Sequence, residues 1–94
     1  MTPEGTVKKK IKDILHAKGA YFTMPIGTGY GSAGVPDFVI CYKGRFIGVE
    51  AKANGNKPTA LQEKHMSAIR GQGGLTLVID ETNIDALTRL LEQL

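Results

Sequence analysis

Hydrophobic positions change their period several times along the 94 residues, and each change predicts an element. Val7, Ile11, Ile14 and Leu15 recur at helical spacing, Thr2 offers an N-cap and Pro3 a favoured first residue, so a helix is expected from about Pro3 to Lys18, ended by Gly19. Ala20 to Met24 reads as a short strand. Phe38 to Tyr42, then Lys43-Gly44, then Arg45 to Val49 reads as strand, tight turn, strand. Asn54 to Pro58 is a turn. Thr59 and Gln62 form a capping box for a second helix running to about Arg70, with Leu61, Ala68 and Ile69 as its inner face and His65 beside them. After a glycine-rich stop, Leu75 to Ile79 reads as a buried strand. Thr82 with Asp85 is expected to cap a last helix whose Ile84, Leu87, Leu90, Leu91 and Leu94 form an apolar edge. The order α, β, β, β, α, β, α is α/β in character: a mixed four-stranded sheet flanked by helices, the crossover through the second helix making the fourth strand parallel to the third.

The turn at Lys43 and Gly44 has a chemical consequence. With those two as loop residues, Asp37 falls directly opposite Glu50, and opposed side chains share a face with Cβ atoms about 4.5–5.5 Å apart. Strand alternation puts Lys52 on the same face as Glu50. Two like charges so placed destabilise a sheet unless something holds them together, and a divalent cation does so. Hard oxygen ligands suit Mg²⁺ or Mn²⁺, and the backbone carbonyl of Ala51 is a further candidate ligand. An ion there suits phosphodiester hydrolysis. Lys52 can orient a water, take its proton, or stabilise transition-state charge, and the spacing does not choose among these.

Composition narrows the setting. A chain of 94 residues, 41% hydrophobic, allows one domain, residues 1–94, with one modest core. The single cysteine, Cys41, excludes an internal disulfide and reads as a small core residue in a reducing compartment. The apolar runs are too short for a signal-peptide core or a membrane span, which points to a cytoplasmic protein. Net charge is +3, and its distribution matters more than its total. Residues 1–18 carry five lysines against Glu4 and Asp13, residues 43–70 carry six Lys or Arg against Glu50 and Glu63, and residues 80–94 carry Arg89 against four acids. Basic stretches therefore flank the predicted site, as suits a polyanion approaching one side. A solvated helix face is the plainer account of Lys8, Lys9 and Lys10.

Other candidates carry two readings each. Glu4 lies at the edge of the first helix's apolar stripe, within reach of a site beneath it, or is an acid favoured by the helix dipole and by Lys8. Gln62 either completes the cap of Thr59 or reaches the site from the helix that follows the Lys52 strand. His16 and His65 lack partners at metal-ligand spacing. The run Gly27 to Gly34 contains Gly29-x-Gly31-x-x-Gly34, but a strand rather than a helix follows, so the dinucleotide reading is rejected. Tyr30 and Ser32 there are candidates to touch a phosphate or base, the plainer reading being a flexible loop whose glycines let a DNA backbone come close.

Pro36-Asp37 followed by Glu50-Ala51-Lys52 resembles the PD-(D/E)XK nuclease signature. The wider set, Gly34-Val35-Pro36-Asp37, Val49 to Lys52, Lys57-Pro58-Thr59 and Gln62, is similar to the virus-type replication-repair nuclease (VRR-NUC) branch, particularly its short stand-alone phage and bacterial members. The resemblance implies a restriction-endonuclease-like core and an Mg²⁺- or Mn²⁺-dependent endonuclease. In it Asp37, Glu50 and Lys52 would be metal-binding and catalytic, Gln62 would join them, and Glu4 would be a looser match. It further implies DNA as substrate, branched or junction DNA in replication, repair or recombination, and a two-fold homodimer. The alternative is a non-catalytic DNA-binding module or subunit that keeps the nuclease fold. A third reading makes the apolar C-terminal helix a protein-interaction surface.

Overall fold

A computed structural model of the chain describes residues 1–26 and 33–94. Tyr30, Ser32 and most of the glycine run lie outside the described residues, so the expectations for that segment are not addressed by it. The elements are α1 (Pro3–Lys18), β1 (Tyr21–Thr23), β2 (Phe38–Tyr42), β3 (Arg45–Ala51), α2 (Ala60–Gly71), β4 (Leu75–Ile79) and α3 (Asp85–Gln93). Thr2 caps α1, its hydroxyl oxygen accepting from the Gly5 N–H at 2.9 Å.

The sheet runs β1-β2-β3-β4. β2 and β3 are antiparallel with Phe38 opposite Val49 and Tyr42 opposite Arg45, the expected register. Lys43 (φ 50°) and Gly44 (φ 77°) both sit in the left-handed region, as a two-residue turn matched to strand twist requires. β4 pairs with β3 in parallel, from Ile47 beside Leu75 to Ala51 beside Ile79.

Alternation along β3 divides the molecule into two layers. Ile47, Val49 and Ala51 face α1 and α3 and join Val7, Ile11, Leu15, Phe38, Ile40, Ile79, Leu87 and Leu91 in one core. Phe46, Gly48 and Glu50 take the opposite face, where α2 packs across β3 and β4. Leu87 and Leu91 are fully buried, so the apolar edge of α3 is spent on the core and is not a free interaction surface.

Four local expectations are corrected. The buried residue of α2 is Met66, whereas Leu61 and Ala68 are exposed; the sheet-facing stripe is Gln62, Met66 and Ile69, at the i, i+4, i+7 spacing of one helix face. Cys41 is exposed, because alternation sends it to the face opposite Phe38 and Ile40, beyond the strands that α2 covers. β4 is mostly half-buried, being an edge strand. Thr82 and Asp85 do not form a capping box: the Thr82 hydroxyl and N–H both donate to Asp80, at 2.6 and 2.8 Å, and α3 begins without a side-chain cap.

Candidate active site

Asp37 and Glu50 meet where the β2–β3 hairpin opens, one position past the last paired residues, Phe38 and Val49. The strands fix both. Glu50 projects from a strand paired on one side with β2 and on the other with β4, and is 2% exposed. Asp37 is half-buried, and its Oδ2 accepts the Ala51 N–H at 2.8 Å, where the next cross-strand hydrogen bond would otherwise form.

That register has a further effect at Ala51. Lys52 donates its N–H to Ile79 of β4 at 2.9 Å, so the N–H and carbonyl of Ala51 turn toward β2. The position facing Ala51 is Pro36, which has no N–H to donate. The Ala51 carbonyl is thereby aimed at the Asp37 side of the site with no ladder donor opposite it.

The electrostatics are unfavourable as they stand. Burial first, then the adjoining Asp37 carboxylate through hydrogen bonding and charge, raise the Glu50 pKa from 4.5 to about 8; Lys52 opposes the rise and Glu4 adds to it. One Glu50 oxygen, Oε1, accepts from Gln62 Nε2 at 3.2 Å. The other, Oε2, is buried with no partner among the described residues while both acids are ionised, since two carboxylates share a hydrogen bond only when one of them carries a proton. An orphaned carboxylate oxygen costs on the order of 1–3 kcal/mol, more if charged.

Gln62 reconciles its two readings. Its Oε1 accepts the Thr59 N–H at 2.8 Å while Thr59 Oγ1 accepts the Gln62 N–H at 3.2 Å, completing the capping box. Because the cap consumes the amide oxygen, the amide nitrogen is left to donate, and it donates to Glu50. Gly34 seats this helix end: with φ 85°, a Cβ there would lie 2.8–2.9 Å from Leu61.

Lys8 is the component that residue spacing did not reveal. Its Nζ lies 3.5 Å from Asp37 Oδ1 and 3.6 Å from Glu4 Oε2. Glu4 thus stands at the border of the site, held by Lys8. The only sequence signal for Lys8 is its i, i+4 spacing from Glu4, which gives no hint of Asp37. Lys52 is half-buried on the Glu50 face.

Among the described residues no set of three or more His, Cys, Asp or Glu side chains is assembled around one point. Two carboxylates, one with an unpartnered buried oxygen, and a carbonyl freed by proline nevertheless fit a hard divalent ion that fills its shell with water. His16 and His65 take no part: His16 packs edge-on against Phe22, with ring centroids 5.2 Å apart, and His65 sits on α2 beside a shallow apolar hollow with Phe46 and Ile69.

No protein-family model and no curated protein matches this chain. A solved structure of a VRR_NUC domain does: it superposes with a TM-score of 0.76 over 95% of this chain and 97% of its own, at 24% sequence identity. The chain has the VRR-NUC fold. The superposition spans nearly all of the chain that carries these elements. No helix of the described residues is long and apolar enough to cross a membrane.

Proposed function

We propose that this protein is a divalent-metal-dependent nuclease that hydrolyses phosphodiester bonds in DNA. The observation that carries the reading is the Glu50–Asp37 pair, two adjoining carboxylates of which one keeps a buried oxygen without a partner. Asp37 has a structural use, since it accepts the Ala51 N–H, but burying Glu50 beside it with an unpartnered oxygen costs a purely structural hairpin free energy. Asp37, Glu50 and the Ala51 carbonyl would hold Mg²⁺ or Mn²⁺, which when bound polarises a phosphoryl oxygen and acidifies water.

The remaining work falls to protein groups. Gln62 fixes the rotamer of Glu50 through the 3.2 Å bond, leaving Oε2 as the free ligand oxygen. Lys52 faces the same space, where its ammonium would steady negative charge building on the phosphoryl group, orient the attacking water, or, if deprotonated, accept its proton. The water oxygen forms the new bond to phosphorus as the sugar oxygen leaves, without a covalent enzyme intermediate. Glu4 would act through Lys8 at the border of the site.

Selectivity for branched or junction DNA and action as a homodimer complete the proposal. Both rest on the resemblance to the short VRR-NUC proteins. A chain this short has little surface for reading base sequence, and two copies related by two-fold symmetry would cut two strands. Incubating labelled branched, nicked, duplex and single-stranded DNA with Mg²⁺ or Mn²⁺ tests the reading. Cutting is expected with either ion, reduced by about 10²–10³-fold or more in Lys52→Ala, as for loss of one preorganised charge-stabilising group. DNA binding without cutting under every condition would favour the non-catalytic module instead.

A further inference from the structure

Lys8 begins a row that leads away from the site. Lys8, Lys12 and His16 follow one another at i, i+4 spacing, so they line one side of α1. All three border a groove of about 590 Å³ that is also lined by Met1, Met24 and, beside Lys9, by Asp13. Lys9 also lines it, but is taken by Asp13 at 3.0 Å. Lys12 has no carboxylate partner among the described residues. Lys10 has none either, yet it lies outside the groove. The His16 ring packs edge-on against Phe22 at the far end of the row.

We propose that this groove is a track for the phosphate backbone of a nucleic-acid strand, leading to the Asp37–Glu50 pair. Successive members of the row are separated by about 6 Å along the helix axis, close to the phosphate spacing of an extended polynucleotide strand. Met1 and Met24 add thioether side chains, and among the described residues that line the groove there is no Phe, Tyr or Trp ring on which a base would stack. The track therefore holds backbone and is indifferent to base sequence. Lys8 joins the two regions, since its ammonium stands at 3.5 Å from Asp37 while lining the groove. The direction of the track rests on the nuclease reading; its existence as a binding surface does not.

The test measures binding in chelator, where no metal-dependent cutting intervenes, with labelled single-stranded and duplex oligonucleotides across a salt series. Lys12→Gln is expected to weaken binding several-fold, and to lower the slope of log affinity against log salt by about 0.7–0.9, the value of one lost phosphate contact. Lys12→Glu should weaken it further. Lys10→Gln, on the same helix but outside the groove, should leave both quantities near wild type, and circular dichroism would verify that each variant is folded. Wild-type affinity and slope in Lys12→Gln, or an equal loss in Lys10→Gln, would overturn the track. The two readings fail separately. Lys12-dependent binding with no cutting under any metal removes the nuclease and keeps the track. Lys52-dependent cutting with Lys12-independent binding removes the track and keeps the nuclease.

Discussion

Glu50 concentrates the demands that a metal site places on a residue: burial, a neighbouring like charge, one fixed oxygen and one free. Its proton makes a prediction with a definite sign. In the unfolded chain the group ionises near 4.5, in the folded protein near 8, so between those values the folded state keeps a proton that the unfolded state has lost. Without metal, the contribution is fully present below about 4.5 and disappears as pH rises through about 8. Denaturant unfolding in chelator should therefore show wild-type stability falling across that interval by up to a few kcal/mol relative to Glu50→Gln. Parallel curves for the two proteins would mean that Glu50 ionises normally.

At the scale of elements, the site depends on how α2 meets the loop before β2. Gly34 is positive in φ and leaves no room for a methyl group against the first turn of α2. Gly34→Ala is expected to cost more than about 1 kcal/mol in thermal or denaturant unfolding. Because Leu61 precedes Gln62, the same change should push Gln62 off Glu50 and lower cutting more than stability alone explains. A variant that unfolds earlier but cuts normally would detach Gln62 from the site.

For the whole molecule, a cation shared by Asp37 and Glu50 links binding to folding. Ligand at about a hundred times its dissociation constant adds ~2.7 kcal/mol to stability. Adding Mg²⁺ or Mn²⁺ should raise the melting temperature of wild type but not of Asp37→Asn. Metal must also displace the Glu50 proton, so the rise should grow as pH increases toward about 8. An equal rise in both proteins would place the ion elsewhere.

Much of this protein was legible in residue order because the decisive interactions are local. A two-residue turn sets the hairpin register, and register alone puts Asp37 opposite Glu50. The capping box at Thr59 and Gln62 and the start of α1 at Thr2 are equally short-range, and each formed as read. Misreadings arose where a residue's surroundings come from distant chain. Cys41 lies in an apolar run, yet is exposed because α2 covers other strands; the Thr82 cap failed for the different, local reason that Asp80, two residues back, takes its hydroxyl. Lys8 shows the limit most clearly, since its ammonium reaches Asp37 only after α1 docks on the sheet. The sequence by itself determined which acids face each other, through backbone geometry and alternation. Tertiary packing alone decided how deeply Glu50 is buried, and which cation and which amide come to meet the pair, because desolvation and contact between distant elements exist only once the layers have closed.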